Sequence, residues 1–367
     1  MKKSIESIFK PHLEPKEVYK GGENIPPSDK KIYKLSSNEN PLGASPKAVA
    51  AIKAAADQID LYPDQTDIRL REALVQDFHG KLSVDQFITG NSGSEIIDMI
   101  LRAFINEGDE VMYSNPCFLP YSVFSRWYGA LQVDVPLLDP NYDLDVEGIL
   151  NAITERTKVI FLTSPNNPTG TYIPKPVLED FLNRIPKNIV VVFDEVYRHF
   201  ADAEDYITAL PYVLEGHNVI ALNSFSKTYG LAGQRIGYCY TTTTIANYIR
   251  LIHKPFLLPL TSLEAAIGAL NDSDFIAETV KTVLEGRKFL ANAFVELGIQ
   301  FWPSQANFFI IDPPLPEMEF TNKMMGEGIM VRPVSQFGAP GKARITIGNQ
   351  EANEALVKAL QKIINFH

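Results

Sequence analysis

Between about Asp85 and Tyr240, short apolar runs alternate with stretches whose apolar residues recur at helical spacing. The runs QFIT, EVMYS, LQVDVPL, KVIFLTS, NIVVVF, NVIALNS and RIGYCY read as strands, and segments such as SEIIDMILRAF and PKPVLEDFLNRI read as amphipathic helices. Strands that are apolar on both faces and separated by helices predict a mainly parallel sheet covered on both sides. The pattern therefore predicts an α/β fold built on a mainly parallel, seven-stranded sheet flanked by helices.

Ahead of this region, SPKAVAAIKAAAD opens with Ser45 as N-cap and Pro46 at the first helical position, a common helix start. Beyond it the texture changes. A helical tract from about Thr261 to Leu297 leads to NFFIID, GIMVRPV, ARITIG and a terminal helix, QEANEALVKALQKIINF, which suit a smaller α+β unit. HKPFLLPLT is a hinge-like link, and the segment before Asn40 is too short to fold alone. The expected division is a large domain over 40–255 and a discontinuous small domain made of 1–39 and 256–367.

Composition narrows the ligand class. With 45% hydrophobic and 21% charged residues, the 367-residue chain is ordinary globular protein. Its net charge of −10 opposes nucleic acid and anionic membranes as partners, which leaves small molecules. The stretch MKKSIESIFKPHLEPKE has no apolar core of signal-peptide length, and no window approaches the roughly 18 apolar residues of a membrane span, so a cytoplasmic protein is expected. Cys117 and Cys239 lie among apolar residues and read as reduced core thiols. The six histidines show no metal-ligand spacing, and no metal is expected.

In open parallel sheets ligands bind beyond the carboxyl ends of the strands. Four such ends carry distinctive polar groups: FITGNSGSE turns into a helix near Ser94, VIFLTSPNNPTG carries Asn167, VVVFDEVY carries Asp194 and Tyr197, and VIALNSFSK carries Lys227. Singly, each is ordinary turn or cap chemistry. Together they describe one ligand that needs an anion cradle, a carboxylate, hydrogen-bond donors and an amine. Pyridoxal phosphate has these needs: its aldehyde condenses with a lysine, and its pyridine nitrogen holds a proton against a buried carboxylate. Lys227 and Asp194 supply those roles. Ser92, Gly93 and Ser94 at the helix start, with Ser224, Ser226 and Arg235, suit the phosphate, and Asn167 and Tyr197 suit the phenolic oxygen. Phe118 is the candidate to stack on the ring, with Tyr121 as a second candidate. A dinucleotide-binding alternative lacks its G-x-G-x-x-G after the first strand.

The motifs NNPTG, DEVY and SFSKTYGLAGQRIG, in this order, resemble fold-type I pyridoxal-phosphate aminotransferases, and LSSNENPLGASPKAV, LYPD, GNSGSE, LRAF, GIMVRPV and ARITIG resemble the histidinol-phosphate aminotransferase branch. The resemblance implies Lys227, Asp194 and Tyr197 as catalytic residues, with Lys227 the Schiff-base lysine. It also implies a homodimer in which Tyr62 reaches the neighbouring subunit's cofactor phosphate. Arg344 would bind the substrate's anionic group, Arg332 would be a second anion contact, and Asn40 would sit near the substrate entrance. The tyrosine that the family usually offers after an N-terminal proline is absent from KPHLEPKEVYKGG, so His12 or Tyr19 takes its place or the contact is missing. KPFLLPLTS likewise departs from the family pattern.

The reaction implied is transamination between histidinol phosphate and 2-oxoglutarate, an amino donor and a 2-oxo acid. An aromatic amino-acid aminotransferase or a phospho-amino-acid decarboxylase shares the same cofactor motifs. A non-catalytic binding or regulatory protein of this fold is the remaining alternative, and intact Lys227, Asp194 and Tyr197 argue against it.

Overall fold

A computed structural model describes residues 5–13, 21–22, 24–27 and 30–365. The described residues form twelve strands: β1 (Tyr33–Lys34), β2 (Phe87–Gly90), β3 (Glu110–Tyr113), β4 (Leu131–Asp134), β5 (Thr157–Thr163), β6 (Val190–Asp194), β7 (Val219–Ser224), β8 (Gly237–Tyr240), β9 (Phe308–Ile311), β10 (Ile329–Met330), β11 (Arg332–Pro333) and β12 (Ala343–Thr346). Seven of them make one sheet in the order β2-β8-β7-β6-β5-β3-β4, and each overlaps one of the apolar runs named above. Neighbours are parallel except at β8, which runs antiparallel to both β2 and β7. The reversal has a local cause. Residues 225–236 contain a single short 3-10 turn and no crossover helix, so the chain leaving β7 returns directly beside it and pairs Ser224 with Gly237.

Alternation along the central strands divides the core into two layers. Val191 and Phe193 of β6 join the cluster that also holds Leu70, Leu178 and Phe181, while Val190 and Val192 join the one that holds Ile96, Ile100 and Tyr121. Side chains two apart share a face, which is why the central strands must be apolar throughout. Edge strand β4, with Gln132 and Asp134, is partly exposed.

Helix Pro46–Ala55 begins as its sequence predicts: Ser45 Oγ accepts from the Ala48 amide at 3.2 Å, and it donates to Asp272 at 2.6 Å. Its partner is helix Leu260–Leu270, which packs so closely that a Cβ on Gly268 would lie 2.8 Å from the Lys47 carbonyl oxygen. Leu258, Leu263, Ala265, Ala266 and Ala269 therefore belong to the layer under the large sheet. Residues 258–270 thus pack on helix Pro46–Ala55, where small side chains let the two helices meet.

A third cluster gathers Leu35, Leu290, Phe294, Phe308, Ile345, Leu356 and Leu360 around the antiparallel strands β11-β12-β9. β1 pairs in parallel with β10, Tyr33 opposite Ile329, so the N-terminal segment is built into the C-terminal part of the chain. Both cysteines are free and buried, and among the described residues no helix is long and apolar enough to cross a membrane.

One close approach ties the sheet to the turn after β2. A Cβ on Gly237 would lie 2.5 Å from the Gly93 nitrogen and from the Ser92 carbonyl carbon, so only glycine lets β8 meet this helix start. Gly237→Ala is expected to lower unfolding free energy by about 2 kcal/mol in chemical denaturation, as overpacking against backbone does.

Candidate active site

The register of the sheet brings its strand ends to one level. Thr163 pairs with Asp194, Asp194 with Leu222, and Ser224 with Gly237. A cavity of ≈ 290 Å³ opens there, and its wall includes Ser92, Gly93, Ser94, Phe118, Asn167, Asp194, Tyr197, Ser224, Ser226, Lys227, Arg235, Arg332 and Arg344. Strand ends thus assemble residues that lie far apart in sequence.

Lys227 follows β7 on the return loop, and its Nζ donates to the Ser37 carbonyl at 3.0 Å. Burial lowers its pKa to about 7, with the Arg344 guanidinium acting in the same direction. The amine is consequently available in its neutral form near neutrality. Asp194 ends β6 and is pushed the other way, up to about 6, again by burial. Tyr121 OH at 2.7 Å and the Val196 amide at 3.1 Å donate to its two oxygens and favour the ionised form. A carboxylate so placed has its charge oriented by donors within the protein and is suited to a cationic N–H in the cavity.

The same wall carries a cradle for an anion. Ser92 caps helix Gly93–Phe104 with φ of 86° and makes no side-chain cap bond, so the first amides of this twelve-residue helix have no acceptor of their own. A Cβ at Gly93 would touch only Leu222 Cδ1 at 3.9 Å, which leaves room in front of these amides. Ser224 Oγ donates to Ser226 Oγ at 3.0 Å and accepts from the Ser226 amide at 3.1 Å. Arg235, in the left-handed region at φ 53°, is held by its Nη1 bond to the Ala232 carbonyl at 3.0 Å. Ser224 pairs with Gly237, which abuts Gly93, so amides and hydroxyls lie close together on a wall that also carries Arg235, Lys227 and Asp194. These donors and acceptors fit pyridoxal phosphate.

Arg344 on β12 donates through Nη1 to Asn167 Oδ1 and through Nη2 to the Ser36 carbonyl at 2.8 Å. Because Asn167 Oδ1 accepts from Arg344, its amide nitrogen is the group that can donate to a ligand. Arg332 stands directly opposite Arg344 across the β11–β12 pair and lies over Phe337 at 5.5 Å. Antiparallel register thus pairs two arginines, and both line the cavity.

Other expected positions fall elsewhere. Tyr121 does not line the cavity; it stacks on Phe161 at 4.5 Å and stands behind Asp194, while Phe118 reaches the wall. Asn40 is not on the wall either. Its Nδ2 donates to the carbonyls of Lys227 and Thr228 at 3.1 and 2.9 Å and to Thr279 Oγ1 at 3.2 Å, which anchors the lysine's backbone. His12 bonds the Trp127 carbonyl at 3.2 Å and is absent from the wall, and Tyr19 lies outside the described residues. Tyr62 is 84% exposed beside Phe256, away from this chain's own cavity.

Sequence reasoning missed Ser36, Ser37, Asn38 and Glu39, all of which line the cavity. The available signal was LSSNENP itself, a polar run directly after β1; Ser36 and Asn38 within it are buried.

This combination of sheet and site defines a pyridoxal-phosphate-dependent aminotransferase, and the chain belongs to that family: the model for "Aminotransferase class I and II" matches residues 30–360. Over 98% of its length it is 37% identical to the full length of a histidinol-phosphate aminotransferase of Akkermansia muciniphila. A histidinol-phosphate aminotransferase of Moorella thermoacetica is 38% identical over 91% of this chain and 86% of its own. The crystal structure of histidinol-phosphate aminotransferase from Sinorhizobium meliloti in complex with pyridoxal-5'-phosphate superposes with a TM-score of 0.83 at 26% identity, covering 92% of each chain.

The depressed Lys227 amine has a measurable consequence in the cofactor-free protein. Below pH about 7 the folded and unfolded chains both hold its proton; between there and the ordinary 10.5, only the unfolded chain does. Stability therefore rises with pH across this window, by up to about 1.4 kcal/mol per pH unit. Denaturant unfolding of cofactor-free wild type and Lys227→Met at pH 7 and pH 9 is expected to show this gain in wild type alone. Parallel profiles would mean that the amine is charged when buried.

Proposed function

We propose that the enzyme transfers the amino group of histidinol phosphate to 2-oxoglutarate, giving imidazole-acetol phosphate and glutamate. The observation that carries the reading is the Arg332–Arg344 pair at the cavity wall. Two guanidinium groups on one cavity wall match a phosphate ester's charge, and the same fork donates equally well to the carboxylate of glutamate or 2-oxoglutarate. The curated relatives that carry the name histidinol-phosphate aminotransferase support the same substrate.

Pyridoxal phosphate, when bound, supplies the aldehyde that takes up the amino group and a ring that withdraws electrons. The chain's own groups do the rest. Lys227 Nζ would bind the cofactor and, once free as a neutral amine, would carry a proton between the substrate carbon that bears nitrogen and the cofactor's aldehyde carbon. Asp194 holds the proton at the pyridine nitrogen, and Asn167 Nδ2 and Tyr197 OH donate to the phenolic oxygen. Ser92, Gly93, Ser94, Ser224, Ser226 and Arg235 hold the phosphate, and Phe118 packs on the ring face. The larger sheet with residues 258–270 forms one domain in this reading. The third cluster and the N-terminal segment form the second, and the cavity lies at their junction.

The same reading makes the enzyme a cytoplasmic homodimer. Tyr62 sits with exposed Ile59, Leu61 and Phe256, an apolar surface suited to a second copy, and reaches the cofactor phosphate of the neighbouring subunit.

Histidinol phosphate added without an acceptor is expected to convert the bound cofactor to its amine form in a single-turnover absorbance measurement, faster than histidinol or phenylalanine does. Faster conversion by phenylalanine would transfer the assignment to an aromatic amino-acid aminotransferase. Arg344→Lys keeps the charge and loses the fork; kcat/KM for histidinol phosphate is expected to fall about 100-fold while cofactor occupancy holds. Equal loss of cofactor would show that Arg344 serves the cofactor instead.

Tyr62→Phe is expected to weaken cofactor binding about tenfold, the effect of one hydrogen bond to a charged group. Mixing Tyr62→Phe chains with an equal amount of Lys227→Ala chains is expected to restore tight binding in about a quarter of all sites, because half the dimers are then hybrids with one intact site each. Unchanged affinity after subunit exchange would mean that Tyr62 acts within its own subunit.

A further inference from the structure

Tyr197 accepts a hydrogen bond from a residue that the cofactor motifs do not include. Asn38 Nδ2 donates to Tyr197 OH at 3.0 Å, from a buried residue held in the left-handed region at φ 55°. Every polar atom of Asn38 has a partner. Its backbone amide donates to Thr346 Oγ1 at 2.9 Å, its Oδ1 accepts from Thr346 Oγ1 at 3.0 Å, and its carbonyl accepts from Asn307 Nδ2 at 3.2 Å.

The directions of these bonds follow from one fixed point. A backbone N–H can only donate, so Thr346 Oγ1 must accept from Asn38. The Thr346 hydroxyl then has its own hydrogen to give, and Asn38 Oδ1 is within reach to take it. That bond sets the amide's orientation: Oδ1 faces Thr346 and Nδ2 faces Tyr197. Tyr197 oxygen, having accepted, must direct its own hydrogen elsewhere, and this residue lines the cavity. Burial also keeps the phenol protonated, with its pKa raised to about 12.

We propose that Asn38 and Thr346 are positioning residues that fix the polarity of Tyr197, obliging its hydroxyl to donate into the cavity toward the cofactor's phenolic oxygen. The inference rests on the assignment of Tyr197 to that oxygen in the proposed function. A donor there draws off negative charge that would otherwise hold a proton on the nitrogen joining cofactor to lysine. Loss of the donor therefore raises the pH midpoint at which the visible band of the bound cofactor changes. Arg344, Asp194 and Lys227 are the charged groups around Tyr197, and the substitutions below leave all three in place.

Asn38→Asp tests the direction. Aspartate tolerates the left-handed backbone and offers an acceptor where Nδ2 was a donor, so Tyr197 hydrogen turns away from the cavity. The spectral midpoint of the cofactor-loaded enzyme, titrated without substrate, is expected to rise by about one pH unit, a tenfold change in proton affinity. The new charge could raise the midpoint by its field alone, so the same substitution is made in Tyr197→Phe. If the effect passes through the tyrosine hydrogen, Asn38→Asp adds little in that background. A full additional shift there would overturn the inference. Should Asn38→Asp not fold, Asn38→Gly removes the donor and keeps the backbone bond to Thr346; a smaller rise is expected, and an unmoved midpoint would reject the role. Tyr197→Phe by itself separates the two levels of the argument. If it leaves the midpoint unchanged, Tyr197 does not face the phenolic oxygen and the inference falls with that assignment; if it shifts the midpoint and Asn38→Asp does not, only the role of Asn38 is lost.

Discussion

A lysine amine enclosed by protein, with a carbonyl oxygen as its hydrogen-bond partner and Arg344, Glu39 and Arg235 among its charged neighbours, is the constraint around which this molecule is arranged. Water would stabilise its charge, and burial removes much of that contact. Ser37 accepts one of its hydrogens, and Arg344 makes protonation less favourable still. The opposite displacement of Asp194 has the same origin in burial, so one enclosed space prepares a base and an acid-stabilised anion together. Neither group would have these properties at a surface.

Holding them at a useful separation is the work of the sheet. Parallel strands end together, and the pairings of Thr163, Asp194 and Leu222 set the depth at which each side chain enters. The reversed strand β8 is part of this arrangement. A helical crossover after β7 would carry the chain away, whereas the direct return keeps residues 225–236 over the strand ends and lays Gly237 against the start of helix Gly93–Phe104. Asn40 then fixes the loop from the outside through the carbonyls of Lys227 and Thr228.

The sheet was legible in the sequence because strands apolar on both faces have few other uses, and the seven apolar runs coincide with its seven strands. Lys227, Asp194, Asn167, Tyr197 and Arg235 could be gathered into one cavity because each follows or lies near a strand that ends on the same side. What stayed hidden has physical reasons. Helix Leu260–Leu270 consists mostly of small and apolar residues around its circumference, so no polar face marks which layer it joins. Tyr121 sits among core residues and looks like one; only its phenol, 2.7 Å from Asp194, distinguishes it. The polar run at Ser36–Glu39 has no periodicity, and its partners at 197, 227, 344 and 346 lie more than 150 residues away.

That last distance has a consequence for how the chain comes into being. The segment that supplies the Ser37 carbonyl is held by amides and carbonyls at the far end of the molecule: Tyr33 donates to Gly328 at 2.8 Å, Leu35 to Met330 at 2.9 Å, and Leu35 accepts from Thr346 at 2.8 Å. On the ribosome, residues 33–38 emerge some three hundred positions ahead of these partners. The large sheet has all its strands by Tyr240 and can assemble during translation, while the early segment waits for its mates. A nascent or C-terminally truncated chain can thus own Lys227 and still lack the Ser37 carbonyl and the Arg344 guanidinium that surround its amine in the complete fold.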